Sequence, residues 1–210
     1  MSRRLPSFIT KTKICIICEG DEEFCYLERL NELGVWDDHY DVELINACGN
    51  GNIPARYQDK YQNNAGDIVL VFCDTDRKPY EQYVEIKRKI NEFHGVDVAA
   101  DEVVIFGNPC TMDVIVKHWD DIDLKSPAKK VNAPIIEELT GVHRYRPKRE
   151  QIEALMTHIT VHNYNAMKRR IAARSSVDEE KNSSNFNQLA NNLESVDNNW
   201  IDRINQILDE

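Results

Sequence analysis

The residues of this chain whose types and spacing suit chemistry are carboxylates set at the ends of apolar runs. One run, Ile14–Cys18, stops at Glu19-Gly20 and is followed at once by Asp21, Glu22 and Glu23; another, Ile68–Cys73, stops at Asp74-Thr75-Asp76. Acids at a helix start favour the helix dipole and cap its free N–H groups, and that role suits Asp21 and Glu22. An apolar strand gains nothing from two exit aspartates one residue apart, so Asp74 and Asp76 read as metal ligands, joined by Glu19. Glu23, one helical turn beyond the first strand end, is open to either reading. Carboxylates that converge repel unless something compensates them, and a divalent cation is the usual compensation. Oxygen-only ligands favour Mg²⁺ or Mn²⁺ over zinc. Such an ion neutralises phosphoryl oxygens and activates water for in-line attack, which makes phosphate chemistry the expected class. Glu19 and Glu23 are the candidate general acid or base beside it. Gly20 permits a sharp turn and a close approach of backbone to a ligand.

The elements that must position these groups alternate in period. Strand-like runs cover Lys13–Cys18, Tyr40–Ala47, Asp67–Asp74 and Asp101–Asn108; helical spacing covers Glu22–Leu33, Ile53 to about Asn63, Tyr80–Phe93 and Cys110–Trp119. This alternation predicts an α/β fold with a parallel sheet of about four strands flanked by helices. In an open parallel sheet ligands bind at the carboxyl ends of the strands, where the two acidic signatures fall. Beyond Asp123 no good strand is visible. Helical stretches near Ala133–Thr140 and Arg149–Arg174 follow, then a polar Asn/Ser-rich segment, Ser175–Asn192, read as a linker or a frayed helix start. A closing amphipathic helix sets Val196, Trp200, Ile204 and Leu208 at near-helical spacing. The expected organisation is an α/β unit over 1–123 and a helical, basic extension over 124–210.

Composition bounds the classes of function. A chain of 210 residues, 41% hydrophobic and 30% charged, can bury a substantial core. The basic start is followed by too short an apolar run for a signal peptide, and no segment nears the roughly 18 apolar residues that cross a bilayer, so a soluble, cytoplasmic protein with no membrane partner is expected. The six cysteines are scattered, mostly in apolar surroundings, which suits reduced, buried thiols. Cys15 and Cys18 have redox-motif spacing but sit inside a strand-like run rather than at a helix start. The net charge of −10 is uneven: residues 124–174 carry eleven Lys or Arg against four Glu, a local +7, and the rest of the chain carries −17. Within that basic segment "HRYRPKR" supplies Arg144, Arg146, Lys148 and Arg149, and "KRRIAAR" supplies Lys168, Arg169, Arg170 and Arg174. These read either as a solvated helical surface or as a track for a nucleic-acid backbone, with Tyr145 available to stack on a base. "CGNGN" offers Gly49 and Gly51, with Gly20, as a backbone phosphate cradle, or a plain turn; it lacks the Lys-Ser/Thr of an ATPase loop. His158 and His162 have i,i+4 spacing but no third zinc ligand.

"IICEGDEEFCYLERL" followed by "VLVFCDTD" resembles the TOPRIM pattern, a strand ending in Glu-Gly and a later strand ending in Asp-x-Asp. The RloB-like branch is the most similar, through Glu-Gly-x-x-Glu and the Asn108-Pro109-Cys110 helix start in "FGNPCTMDVIVKHW". The likeness spans roughly residues 12–120. It implies a Rossmann-like TOPRIM fold and Mg²⁺-dependent phosphoester chemistry on nucleic acid, with Glu19 as general acid/base and Asp74 and Asp76 as metal ligands. It also implies a place in a bacterial anti-phage system beside an ATPase partner. Met112 departs from the branch, which often has Glu there, and Asp113 follows on another helix face. Asn108 and Cys110 are expected to shape the turn, with Pro109 at the first helical position. "VFCDTD" also resembles the opening of haloacid-dehalogenase-type phosphatases, but there the motif lies on the first strand; here it lies on the third, and Arg77-Lys78-Pro79 follows. The sequence reading is therefore a metal-dependent nuclease of TOPRIM type. Its rival is a non-catalytic subunit that binds an ATPase partner or a nucleotide ligand through the same crevice.

Overall fold

The structure is a computed structural model in which residues 10–75 and 80–210 are described. Four strands, β1 (Thr12–Cys18), β2 (Tyr40–Asn46), β3 (Ile68–Asp74) and β4 (Val104–Gly107), form one parallel sheet in the order β2-β1-β3-β4. β1 and β3 are central, and β3 is buried at every position, as an Ile/Val/Leu/Phe run covered on both faces must be. The chain leaves β1 for β2 on one side and returns over β1 to β3 on the other. The strand order thus reverses between β1 and β3, which is where open α/β sheets bind ligands. The register pairs Cys18 with Phe72, so both central strands end at the same lip of the sheet.

The crossovers are α1 (Asp21–Glu32), α2 (Ile53–Gln62) and α3 (Tyr80–His94), the last followed by the short α4 (Ala99–Val103). The fourth strand is shorter than the sequence implies, because Asp101 and Glu102 lie in α4 and only Val104–Gly107 pairs with β3. After β4 come α5 (Thr111–Val116), α6 (Lys129–Thr140), α7 (Arg149–Met156), α8 (Val161–Ile171), α9 (Phe186–Glu194) and α10 (Asn199–Leu208). The expected single helix over 149–174 is two helices. Thr160 breaks it by capping α8, its hydroxyl accepting from the Asn163 N–H while the Asn163 side chain accepts from the Thr160 N–H. Pro109 is not at the first helical position either: Cys110 caps α5, and the helix begins at Thr111.

The segment read as a linker or a frayed helix start closes the sheet and opens α9. Asn185 Oδ1 accepts from the Phe106 N–H and its amide donates to the Val104 carbonyl, while the Ser184 hydroxyl donates to the Phe106 carbonyl. Polar residues here replace a fifth strand and satisfy an edge that would otherwise present unpaired backbone. Directly after them Phe186 packs on Tyr26 of α1 and Phe72 of β3, each at 5.4 Å between ring centroids. The C-terminal helices therefore share one contiguous apolar core with the sheet. In the closing helix the buried positions are Ile201, Ile204 and Leu208; Val196 lies outside it and is 76% exposed. Among the described residues no helix is long and apolar enough to cross a membrane.

His118 sits in this core between Tyr26, whose hydroxyl lies 3.0 Å from Nε2, and Asn163, whose Oδ1 lies 3.1 Å from Nδ1. One acceptor and one donor nitrogen suit a neutral imidazole, and burial pushes its pKa down to about 4. The unfolded chain takes up a proton at the ordinary histidine value while the folded chain does not. This stability is therefore full above that value and is lost as the pH falls toward 4. Urea denaturation is expected to show His118 contributing about 2 kcal/mol of lost stability between pH 7 and pH 5, and His118→Gln a correspondingly smaller loss. An equal loss in the variant would contradict the buried neutral imidazole.

Candidate metal centre

Glu19 is carried beyond the end of β1 by the ladder itself: its N–H donates to the Phe72 carbonyl at 3.0 Å. Its carboxylate then turns back to β3, where Oε2 accepts from the Asp74 N–H at 3.0 Å. The two sequence-predicted strand ends therefore meet. Asp74 is buried, and Oδ1 accepts from both the N–H of Thr111 at 2.6 Å and its hydroxyl at 2.7 Å. Thr111 reaches it because the chain folds back tightly after β4. A Cβ on Gly107 would lie 2.9 Å from the backbone of Cys110 and of Thr111, so only glycine fits there. Asp76 lies outside the described residues.

The start of α1 supplies the other carboxylates. Gly20 is its N-cap, and the Gly20 N–H donates to Glu23 Oε2 at 3.0 Å. That capping bond holds Glu23 inward, 3% exposed. Glu22 is also buried. Its Oε1 accepts from the Tyr145 hydroxyl at 3.2 Å and pairs with Lys129 Nζ at 3.1 Å. Oxygens of Glu22, Glu23 and Asp74 all lie within 4.8 Å of one another. Burial first, and then the charge of Glu22, push the Glu23 carboxyl above its ordinary range; Thr111 and Lys129 pull the other way without cancelling this. Lys129 moves upward too. Its desolvation opposes the shift, but Glu22, Asp74 and Glu23 outweigh that and hold the ammonium above its usual range.

The cluster differs from the expected ligand set. Glu22, expected only to favour the helix dipole, is one of its three members, and Glu19 is not in it, being tied to the β3 backbone instead. Nothing local marks Glu22 as buried; Lys129 and Tyr145, far along the chain, cover it. Thr111 was also missed, and its only trace in the sequence is its place after Asn108-Pro109-Cys110. Asp113 belongs elsewhere: it accepts from the Leu124 N–H at 2.6 Å and pairs with Arg174. The cradle expected of Gly20, Gly49 and Gly51 is partly spent on the fold, because the Gly20 N–H serves Glu23 and the Gly49 N–H donates to the Glu19 carbonyl at 2.8 Å.

The basic residues divide in two. Arg174 pairs with Asp113 and Asp123, Lys168 with Glu194 at 2.6 Å, Arg149 with Glu153 at 2.8 Å, and Arg170 donates to the Lys117 carbonyl at 2.5 Å. Lys168 and Arg174 are thus engaged with neighbouring elements and Arg170 with the Lys117 carbonyl, while Arg149 is exposed and pairs within its own helix. Arg144, Arg146 and Lys148 are exposed on the loop whose Tyr145 touches Glu22, and Arg169 is exposed on α8. Tyr145 is 4% exposed, so its ring offers no stacking platform. His158 and His162 fall on either side of the α7–α8 break and share no helix. Cys15 and Cys18 are buried in β1, and burial raises the Cys15 thiol to about 11 and holds the Cys18 thiol well above its ordinary value, which makes both inert at neutral pH.

Among the described residues the donor set fits a hard divalent cation: three carboxylates, with no sulfur and no imidazole in the group. No family model matches the chain, and comparison with curated proteins and with solved structures gives no significant match.

The raised Glu23 carboxyl fixes a sign. Its contribution is present below the ordinary carboxylate value and is lost as the pH rises through its own higher value. In EDTA, Glu23→Gln is expected to gain thermal stability relative to the wild type as the pH climbs out of the acid range, because only the wild type loses the Glu23 contribution. A variant with the same pH dependence as wild type would contradict the crowding of Glu23 by Glu22.

Proposed function

We propose that the chain is a metal-dependent nuclease of TOPRIM type, similar to the RloB-like branch, that hydrolyses phosphodiester bonds of DNA or RNA with Mg²⁺ or Mn²⁺. The observation that carries this reading is the convergence of Glu22, Glu23 and Asp74 at the point where the strand order reverses, with Glu19 tied beside them. Asp74, Glu22 and Glu23 would hold the cation, with Asp76 as the further ligand that the Asp-x-Asp signature implies. When bound, such an ion supplies charge neutralisation at phosphoryl oxygens and a more acidic water. The protein's own groups do the rest. Thr111 fixes the Asp74 carboxylate through two hydrogen bonds, so that ligand stays aimed without reorganising. Glu19, half-buried at the lip, takes or returns the proton. Arg144, Arg146 and Lys148 bind the substrate backbone. Their loop is pre-formed, because Gln151 bridges it, accepting from the Arg146 N–H at 2.5 Å and donating to the Arg144 carbonyl at 3.2 Å. The resemblance adds a place in bacterial anti-phage defence and an ATPase partner, and the sequence composition a cytoplasmic setting. A non-catalytic binding subunit is the second reading, favoured by Lys129 and Tyr145 already engaging Glu22.

Purified protein on plasmid, single-stranded DNA and RNA separates the two. With Mg²⁺ or Mn²⁺, cleavage is expected, abolished by EDTA and reduced roughly 10²-fold or more by Asp74→Asn or Glu19→Gln. Cleavage that persists in EDTA or survives Asp74→Asn would overturn the catalytic reading, and no cleavage even with a neighbouring ATPase would favour the binding subunit. For the interface, fluorescence anisotropy in Ca²⁺ is expected to show that Arg144→Glu/Arg146→Glu/Lys148→Glu weakens oligonucleotide binding and lowers its salt slope, by about 0.7 to 0.9 per lost phosphate contact. Reversing Lys168 and Arg170 should leave the slope alone; the opposite pattern would move the interface to α8.

A further inference from the structure

Lys129 stands where local helix physics does not favour it. It is the first residue of α6, next to Lys130, so two ammonium groups crowd a helix N-terminus, whose dipole disfavours cations, and the helix has no side-chain cap. A tertiary partner accounts for it: Nζ lies 3.1 Å from Glu22 Oε1 and within the field of Asp74 and Glu23. The carboxylates are buried while the Lys129 side chain is 46% exposed, so the ammonium enters the cluster from solvent on a flexible four-carbon stem. Among the described residues it is the Lys that pairs with Glu22, and its positive charge also faces Glu23 and Asp74.

We propose that Lys129 is a displaceable counter-ion of the carboxylate cluster, which holds Glu22, Glu23 and Asp74 together without a cation and swings outward when a divalent cation enters. This rests on the metal-binding reading above. A cation among three carboxylates supplies the compensation that Lys129 otherwise provides, and it repels the ammonium across the same short distance. The two therefore compete for Glu22. The stem leaves the ammonium at the crevice mouth, on the same covering segment as Arg144 and Arg146, where it adds to the field that receives a phosphate backbone.

Calorimetric titration of Mn²⁺ into the full chain tests this in wild type, Lys129→Met and Lys129→Arg. The expected result is tighter Mn²⁺ binding in Lys129→Met, on the order of tenfold, with Lys129→Arg near wild type. In EDTA, Lys129→Met should unfold at lower temperature than wild type, and saturating Mn²⁺ should close that gap. Mn²⁺ bound by wild type with equal or weaker affinity in Lys129→Met would overturn the counter-ion role and leave the metal site standing. If wild type binds no Mn²⁺, or binds it undiminished in Asp74→Asn, the metal reading itself fails and the exchange with it.

Discussion

Three buried carboxylates within 4.8 Å of one another are the constraint that the rest of the molecule is arranged around. At an effective dielectric of about 20, each such pair of charges repels by roughly 3 kcal/mol, more than an exposed ion pair returns. Crowding of this kind persists only where donors, a counter-ion, a bound cation or protonation offset it. The structure supplies the first two: Thr111 on Asp74, the Gly20 backbone on Glu23, and Tyr145 with Lys129 on Glu22. Burial and the charge of Glu22 push the Glu23 carboxyl above its ordinary range, which is the direction of the fourth. A divalent cation, as proposed, would be the third and the most effective, because it would meet all three carboxylates at once.

The scaffold turns this crowding into a site by ordinary strand geometry. Parallel pairing of β1 with β3 brings two chain segments to one lip, and the ladder runs on far enough to seat Glu19 against the Asp74 backbone. Gly107 pairs with Asp74 across β3 and β4, and the turn it permits returns Thr111 to the same carboxylate. Burial at that lip comes from the C-terminal half. α6 and the loop after it cover Glu22, while Ser184, Asn185 and Phe186 seal the β4 edge and complete the core. The covering segment also bears Arg144, Arg146 and Lys148, so the part of the chain that desolvates the carboxylates is the part that presents positive charge beside them.

What was legible in the sequence is what depends on local pattern. The β-branched run Ile14–Cys18 and the apolar run Ile68–Cys73 announce central strands, the alternation with helices announces a parallel sheet, and the rule that ligands sit at strand carboxyl ends brings Glu19 and Asp74 together. What was not legible depends on long-range burial. Glu22 reads as a solvated dipole partner at a helix start, and nothing nearby says otherwise; Tyr145 and Lys129 do. Asn185 reads as part of a linker or a frayed helix start because its task, completing the backbone bonds of β4, exists only once β4 is an edge. Lys168 and Arg174 read as part of a solvated surface or a backbone track because their partners, Asp113, Asp123 and Glu194, are distant in sequence or in another helix.

A nuclease reading makes the polar burial purposeful: charges that would destabilise an idle protein are those a catalytic cation requires, and the exposed arginines lie on the loop that touches them. The most direct test is a crystal of the protein soaked in Mn²⁺ and measured for anomalous scattering. The account predicts a strong anomalous peak within coordination distance of Glu22, Glu23 and Asp74, with Lys129 Nζ moved away from Glu22. A crystal that shows no peak there at saturating Mn²⁺, with Lys129 still on Glu22, would contradict it.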